Sequence, residues 1–387
     1  MRCDRRWFYL APLSLGVHGG QATHVAEFCE ALARSRPLAL FGPPPAPAAL
    51  PMIPFVPVSL PARPPRELVF QARAARALLL AGQPLKPDVI YVRAAAFNLG
   101  AIMAARRLGI PCILELNGLP ALEYELEHDT RSAPARRMFY TLLARLEYRL
   151  ASGIVAVTPQ LAMVARQNGA RAVHVAPNGV NPHRFVPGDS TVARRMLGIP
   201  LDAQVVGFAG NFAAWQGLDL LVEAVLQLAP THPRLHLLLI GDGVERARLE
   251  ARAAPLGARV RFTGRLPHTH VPQVLATCDV LAAPLAPIER NWRTGVSPLK
   301  VFEYLALGRP VLAAALPGME FIEVMRLGAL FPPGAAAALA ERLQWLLNLP
   351  YAERAAIGAR ARAAAEGSFA WTTIVDGVIT FVEEVRP

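Results

Sequence analysis

The chain has 387 residues, 53% hydrophobic and 18% charged, with a formal net charge of +11. That length suits two domains of ordinary size, and that composition excludes an intrinsically disordered chain. No uninterrupted apolar run reaches the roughly 18 residues of a spanning helix, so no spanning helix is expected.

Cys3, Cys29, Cys112 and Cys278 are isolated, with no C-x-x-C pair, so reduced structural thiols and a cytoplasmic setting are expected. The start, M-R-C-D-R-R-W, carries charge but no apolar stretch before Pro12 and Gly16, so no signal peptide is expected. The positive charge is nearly all arginine, since Lys86 and Lys300 are the only lysines. A basic chain favours nucleic acid, anionic lipid or phosphorylated molecules. Aromatic content is only 7% and no nucleic-acid module is recognisable, so no nucleic-acid partner is expected. Phosphorylated small molecules and peripheral contact with an anionic membrane, at the inner face of the cell membrane, are the remaining expectations.

Trp7 to Leu10 reads as a short strand, followed by the loop S-L-G-V-H-G-G-Q and a helix over Ala22 to Ala33. Strand, glycine loop and helix form a phosphate-cradling arrangement, in which Gly19 and Gly20 let the backbone approach a ligand. His18 and His24 lie beside it, as polar lining residues or as catalysts. Pro37 to Gly42 is a second strand, and Pro43 to Pro65 is too rich in proline for a regular element. A helix from Arg66 to Leu80 leads to the strand Asp88 to Val92. Arg93 ends that strand, at the side of an open α/β sheet where ligands bind; it is a cleft residue or a plain loop arginine.

A helix over Asn98 to Leu108 and a strand over Pro111 to Leu116 lead into E-L-N-G-L-P-A-L-E, which offers Glu115, Asn117 and Glu123. An amide such as Asn117 can orient a hydroxyl but is no base near neutral pH. Glu123, Glu125, Glu127, His128 and Asp129 cluster as a solvated loop or a metal site. Arg131 to Leu150 alternates arginines with apolar residues at helical spacing, which suits a packed surface helix or one lying on an anionic membrane. A strand over Gly153 to Thr158, a helix from Pro159 and a strand over Val173 to Ala176 complete this half.

After P-N-G-V-N-P-H-R-F-V-P at Pro177 to Pro187, the pattern begins again. Gln204 to Ala209 is a strand, Gly210 to Gly217 a loop holding Asn211, Trp215 and Gln216, and Leu218 to Ala229 a helix. Leu235 to Ile240 is a strand ending at Gly241, and Val260 to Gly264 a strand ending before Arg265 and Leu266. Asp279 to Ala283 is the next strand, and the helices Ala335 to Leu347, Tyr351 to Glu366 and Trp371 to Val385 close the chain.

Between them runs the stretch around which the chain is organised, from Trp292 to Ala314. A loop with Gly295, Ser297 and Pro298 leads into a helix from Leu299 to Leu307, ended by Gly308 and Pro310, and then a short strand. The helix start favours a phosphate. Lys300 could neutralise a diphosphate and Glu303 could accept hydrogen bonds from a ribose diol, or the two could form a surface ion pair.

S-P-L-K-V-F-E-Y-L-A-L-G-R-P-V resembles the signature of the retaining glycosyltransferases of family 4, in the subgroup with an S-P-L-K-x-F-E-Y motif. The G-G loop, P-N-G-V, A-G-x-F, G-D-G and F-T-G-R-L-P follow the same family's order and spacing. The resemblance implies the α/β GT-B fold, two Rossmann-like domains facing a central cleft. It implies an acceptor domain over residues 1–180, a donor domain over 181–368, and a last helix over 369–387 returning to the first domain. The implied reaction moves a sugar from a nucleotide diphosphate sugar, UDP favoured over GDP, to a glycan or lipid-linked acceptor with retention. No cofactor is implied, and the lack of any D-x-D pair argues for metal-independent chemistry.

By the same resemblance Glu303 binds the ribose. Gly19, Gly20, Gly210, Asn211, Trp215, Gln216, Gly241, Arg265, Leu266, Ser297, Leu299 and Lys300 complete the donor site. His24, Glu115, Asn117 and Glu123 face the acceptor, and Lys300, Asn117 and Arg93 serve catalysis. The chain departs from the pattern at Gly295, where the family has a first glutamate, and at Gln216, where it has a lysine before the glycine. Lys300 is expected to take over the missing charge. A sugar-nucleotide epimerase of the same fold and a non-catalytic nucleotide-sugar-binding subunit are the alternatives.

Overall fold

The computed structural model describes residues 5–16, 19–63, 66–120, 122–123 and 133–386. Cys3, His18, Arg131 and the acidic run Glu125, Glu127, His128 and Asp129 lie outside the described residues. Two compact units divide the chain: Met1–Asn178 with Trp371–Pro387, and Gly179–Ala370.

The first unit is built on a seven-stranded sheet in the order β3-β2-β1-β4-β5-β6-β7. Its strands are β1 (Trp7–Leu10), β2 (Leu38–Gly42), β3 (Phe55–Pro57), β4 (Val89–Arg93), β5 (Cys112–Leu116), β6 (Gly153–Ala156) and β7 (Val173–Val175). Every pairing is parallel. Parallel strands covered on both faces read as continuous apolar runs, and W-F-Y-L, C-I-L-E-L and G-I-V-A are buried along their whole length. The second unit repeats the plan with six parallel strands in the order β10-β9-β8-β11-β12-β13. These are β8 (Gln204–Ala209), β9 (Leu235–Ile240), β10 (Val260–Gly264), β11 (Val280–Ala283), β12 (Val311–Ala314) and β13 (Gly328–Phe331).

In each sheet the first strand of the unit sits inside. β1 lies between β2 and β4, and β8 between β9 and β11. Strand order reverses at these places, and ligands of open α/β sheets bind outside the carboxyl ends of strands there. The sequence reading of two strand–loop–helix halves therefore has a definite location in each unit.

Local chemistry sets the elements. Thr158 caps the helix Pro159–Gln167 by accepting the Leu161 N–H at 3.2 Å, with Pro159 at its first position. The helix Trp371–Glu384 packs on the helix Gly20–Ala33. Phe381 meets His174 ring on ring at 5.4 Å and crowds Gly153, where an added Cβ would lie 2.9 Å from the ring.

Several elements depart from the sequence expectation, and β13 and the short helices Val271–Leu275 and Phe321–Val324 are absent from it. β3 lies in the proline-dense stretch expected to hold no element; two half-buried residues and the exposed Pro57 pair with β2. The helix Thr191–Leu197 has no counterpart in the sequence reading. Its buried residue is an arginine: Arg194 donates to the carbonyls of Thr277, Leu201 and Ala203 at 2.8 to 3.1 Å and to Asp279 Oδ2 at 3.1 Å. A helix Glu289–Thr294 occupies the stretch taken as the start of a loop, and it ends at Gly295.

Arg194 clamps this helix to the amino ends of β8 and β11, because Asp279 also accepts the Val205 N–H at 2.8 Å. Arg194→Lys keeps the charge and loses the planar fork. The expected cost is about 3 kcal/mol, the scale for breaking a buried, multiply bonded ion pair. A urea midpoint unchanged from wild type would refute the clamp.

Candidate functional site

In the second unit the site grows from the end of β8. Tyr304 and Lys300 stand four residues apart on the helix Leu299–Ala306, so they share a face. The buried Tyr304 hydroxyl accepts the Ala209 N–H at 2.8 Å and pins the helix to the last residue of β8. Lys300 is thereby carried to the same strand end. Its Nζ lies 3.8 Å from the centre of the Phe208 ring and donates to Gln216 Oε1 at 2.7 Å. A Cβ on Gly210 would stand 2.7 Å from that Nζ, and the backbone there has φ of 148°. Glycine is thus required twice over, by the close approach and by the dihedral.

Enclosure decides the amine's charge. Burial lowers Lys300 to about 7, and the nearby Glu303 carboxylate acts in the opposite sense. Lys300 as a residue is only half-buried; the enclosure is centred on its amine. Gln216 is buried, and it closes a tight turn whose next residue, Gly217, has φ of 67°. A Cβ at Gly217 would overlap the Pro284 carbonyl oxygen. A lysine in place of Gln216 would set two ammonium groups against each other; the neutral amide instead accepts from the one present.

The neighbouring strand ends meet this point through backbone. Gly210 N donates to Ile240 O at 2.9 Å and Gly241 N to Gly264 O at 3.0 Å, bringing the carboxyl ends of β8, β9 and β10 together. A Cβ on Gly241 would overlap the Gly210 carbonyl. Past Gly264, Arg265 is exposed and Leu266 packs partly on the core. Asn211 is exposed, and Trp215 lies under the guanidinium of Arg290 at 4.7 Å. The first N–H groups of the helix, at Leu299 and Lys300, precede its first internal bond, from Val301 N to Pro298 O at 3.0 Å. Ser297 is half-buried just before them. Glu303 is half-buried, with Oε1 3.5 Å from Nε2 of the exposed His268. Gly295 has φ of 65°, a conformation that a glutamate would adopt only with strain.

In the first unit the corresponding place holds a buried anion. Glu115, on β5, receives Tyr9 Oη–H on Oε2 at 2.8 Å and faces His24 Nε2 from Oε1 at 2.7 Å. The other ring nitrogen of His24 lies 2.6 Å from Asn178 Oδ1, and its ring meets Trp371 edge-on at 5.3 Å. Burial by itself would raise the Glu115 pKa. His24, then Arg93 and the Tyr9 hydroxyl outweigh burial and leave the carboxyl below its ordinary value.

The sequence reading gave His24 and Glu115 to an acceptor. Both are at least 97% buried, and their polar atoms face one another, Tyr9 and Asn178. Arg93 and Asn117, on the ends of the adjacent β4 and β5, differ from them. Arg93 Nη1 and Asn117 Nδ2 are buried donors without a partner. Glu123 is half-buried against Gly118, and Gly19 and Gly20 are exposed at the start of their helix.

Sequence reasoning thus named Lys300, Gln216, Gly210 and Gly241, which the second unit brings together. It missed Phe208 and Tyr304, whose signals were a buried aromatic one residue before the strand end and a tyrosine four residues after the lysine. Among the described residues no three His, Cys, Asp or Glu side chains are grouped as a metal site.

Residues 18–184 match the family model described as Glycosyltransferase Family 4, and residues 203–349 the one described as Glycosyl transferases group 1. The 2-deoxystreptamine glucosyltransferase of Streptomyces kanamyceticus is 32% identical over 219 residues, 54% of this chain and 55% of that one. The D-inositol 3-phosphate glycosyltransferase of Stackebrandtia nassauensis is 38% identical over 158 residues, 38% of this chain and 34% of that one. The chain therefore spans about half or less of these relatives' length. Among solved structures, the sucrose-phosphate synthase of Thermosynechococcus elongatus gives a TM-score of 0.77 at 21% identity, over 98% of this chain and 99% of that one. HepE of Anabaena, in complex with UDP, gives 0.75 at 22% identity, over 98% and 100%. These likenesses establish the GT-B fold.

Two pH dependences follow from the buried charges. Unfolded, Lys300 keeps its proton up to its ordinary 10.5; folded, it loses it near 7. Between those values the unfolded chain binds more protons, so the Lys300 contribution to stability rises with pH. The stability of wild type relative to Lys300→Met should grow from about pH 7 to about pH 9 in denaturant titrations; a constant difference refutes the assignment. Glu115 behaves oppositely. Its contribution is full at neutral pH and is lost as pH falls through its lowered folded pKa, so Glu115→Gln should differ most from wild type at neutral pH and converge with it in acid.

Proposed function

We propose that this chain, a glycosyltransferase family 4 domain followed by a glycosyl transferases group 1 domain on the GT-B fold, transfers a sugar with retention from a nucleotide diphosphate sugar, UDP favoured over GDP, to a glycan or lipid-linked acceptor. The observation that carries the reading is the enclosed amine of Lys300 beside the start of the helix Leu299–Ala306. A leaving diphosphate gains negative charge as the glycosidic bond breaks, and fixed donors in a dry site stabilise that charge most. The Leu299 and Lys300 N–H groups and the Lys300 ammonium are such donors. Glu303, one turn along the helix, takes the ribose hydroxyls, and Arg265 and Leu266 border the base.

On the acceptor side the working groups are Arg93 Nη1 and Asn117 Nδ2, the buried donors left without partners. They suit a hydroxyl or phosphate oxygen of the acceptor. His24 and Glu115 act behind them: Glu115 shares β5 with the approach to Asn117, and its charge faces Arg93 on β4. An epimerase would need acid and base groups open to the sugar ring, and this paired, buried couple is not that. The sugar hydroxyls must be recognised without the family's first glutamate, since Gly295 ends a helix in its place. Metal-independent transfer follows from a lysine and a helix start taking the diphosphate charge.

UDP, GDP, ADP and dTDP should be compared by thermal shift on wild type and on Glu303→Ala. One nucleotide, expected to be UDP, should stabilise wild type by roughly 2.7 kcal/mol at about 100 times its dissociation constant and leave the variant unmoved. No response to any of them overturns the donor site. Lys300→Met should weaken UDP by about tenfold or more while leaving uridine nearly unchanged, on the scale of one charge-assisted contact. Equal losses for both ligands would remove Lys300 from the diphosphate.

A further inference from the structure

Glu303 does not stand alone at the end of its helix turn. Its Oε1 lies 3.5 Å from Nε2 of His268, with the carboxylate side chain 15% exposed and the imidazole 42%. His268 comes shortly after the strand end at Gly264 and after Arg265 and Leu266, the residues proposed to border the base. It belongs to a turn closed by the His270 N–H on the Pro267 carbonyl at 2.8 Å. Its ring meets the buried Phe185 at 72°, with ring centres 5.6 Å apart. Arg362 fixes Phe185 relative to the acid. Its Nη1 donates to the Phe185 carbonyl and to the carbonyl of Ala306, the last residue of the helix that carries Glu303. A turn, an aromatic brace and a guanidinium tie, all within the second unit, therefore set the imidazole against the carboxylate.

The separation has a chemical meaning. A direct hydrogen bond from a charged N–H to a carboxylate spans about 2.7–2.9 Å. At 3.5 Å the two atoms are spaced for one oxygen between them, about 2.8 Å from each. A hydroxyl in that position donates its proton to Glu303 Oε1 and accepts the Nε2–H of His268. The carboxylate can only accept, and the imidazole supplies the matching donor. We propose that His268 is a second ribose-binding residue, and that one hydroxyl of the ribose diol bridges Glu303 and His268. The proposal rests on the donor reading above and deepens it, because the site then reads the sugar of the nucleotide as well as its phosphates. A ribonucleoside diphosphate satisfies both side chains. A nucleotide without the bridging hydroxyl leaves both unbridged, which is how a site built to bind a hydroxyl rejects the analogue lacking it. His268 is exposed, so the discrimination is moderate.

The test is calorimetric titration of the full chain with UDP, 2′-deoxy-UDP and 3′-deoxy-UDP, on wild type, His268→Ala and His268→Gln. His268→Ala should weaken UDP about tenfold, the scale of one hydrogen bond in a polar site. It should leave nearly unchanged the one deoxy analogue that lacks the bridging hydroxyl. His268→Gln, whose amide N–H reaches the same place, should recover much of the lost UDP affinity. Circular dichroism melting shows that each variant is folded. Equal weakening of all three nucleotides by His268→Ala overturns the bridge, since the ring would then only shape the turn. So does UDP binding that ignores His268, and that result leaves the donor reading standing. Failure of UDP to bind wild type overturns the donor reading itself, and this inference with it.

Discussion

Enclosing an amine in protein costs free energy unless its environment compensates, and the second unit is shaped around one such amine. Lys300 meets an aromatic face, an amide oxygen and a glycine backbone in place of water. Each neighbour needs support of its own. Phe208 is fixed by its strand, Gln216 by a turn that admits only glycine after it, and the helix by the Tyr304 bond to Ala209. Lysine stands here in a chain whose basic residues are otherwise almost all arginine. A planar guanidinium is broader, binds in a fork and does not lose its proton, so it would neither fit against Gly210 nor titrate near neutrality.

The first unit answers with the reverse charge. Glu115 is more deeply buried still, yet it stays ionised because His24, Arg93 and Tyr9 surround it. A buried carboxylate with complete partners is rigid, and its rigidity passes to the strand end beyond it. His24 also touches Asn178 and Trp371, the residues at which the first unit's two chain segments end and resume. One histidine thus holds a strand, a helix and both of those points in register.

Much of the fold was legible because parallel strands leave a plain trace. V-I-Y-V, C-I-L-E-L and L-H-L-L-L-I are apolar runs between turn residues, and the structure has strands there. β3 was not legible, because two half-buried residues and an exposed proline at a sheet edge leave no such run. Nor was the helix Thr191–Leu197, whose buried contact is an arginine rather than an apolar stripe. In the donor-side site, the lysine and the glycines could be named from motif and turn chemistry. That Gln216 would meet Lys300 could not, since the two are 84 positions apart and only the fold joins them. The glycine at position 295 read as a missing side chain until its left-handed backbone gave it a local cause.

A lysine amine attacks electrophiles only in its neutral form. The enclosure that lowers Lys300 to about 7 therefore leaves more of it neutral at neutral pH than of an exposed lysine. The chain's other lysine, Lys86, is an exposed surface residue with no such enclosure. Acylating or reductively alkylating reagents should therefore modify the exposed Lys86 first, because Phe208, Gln216 and Gly210 shield the Lys300 amine.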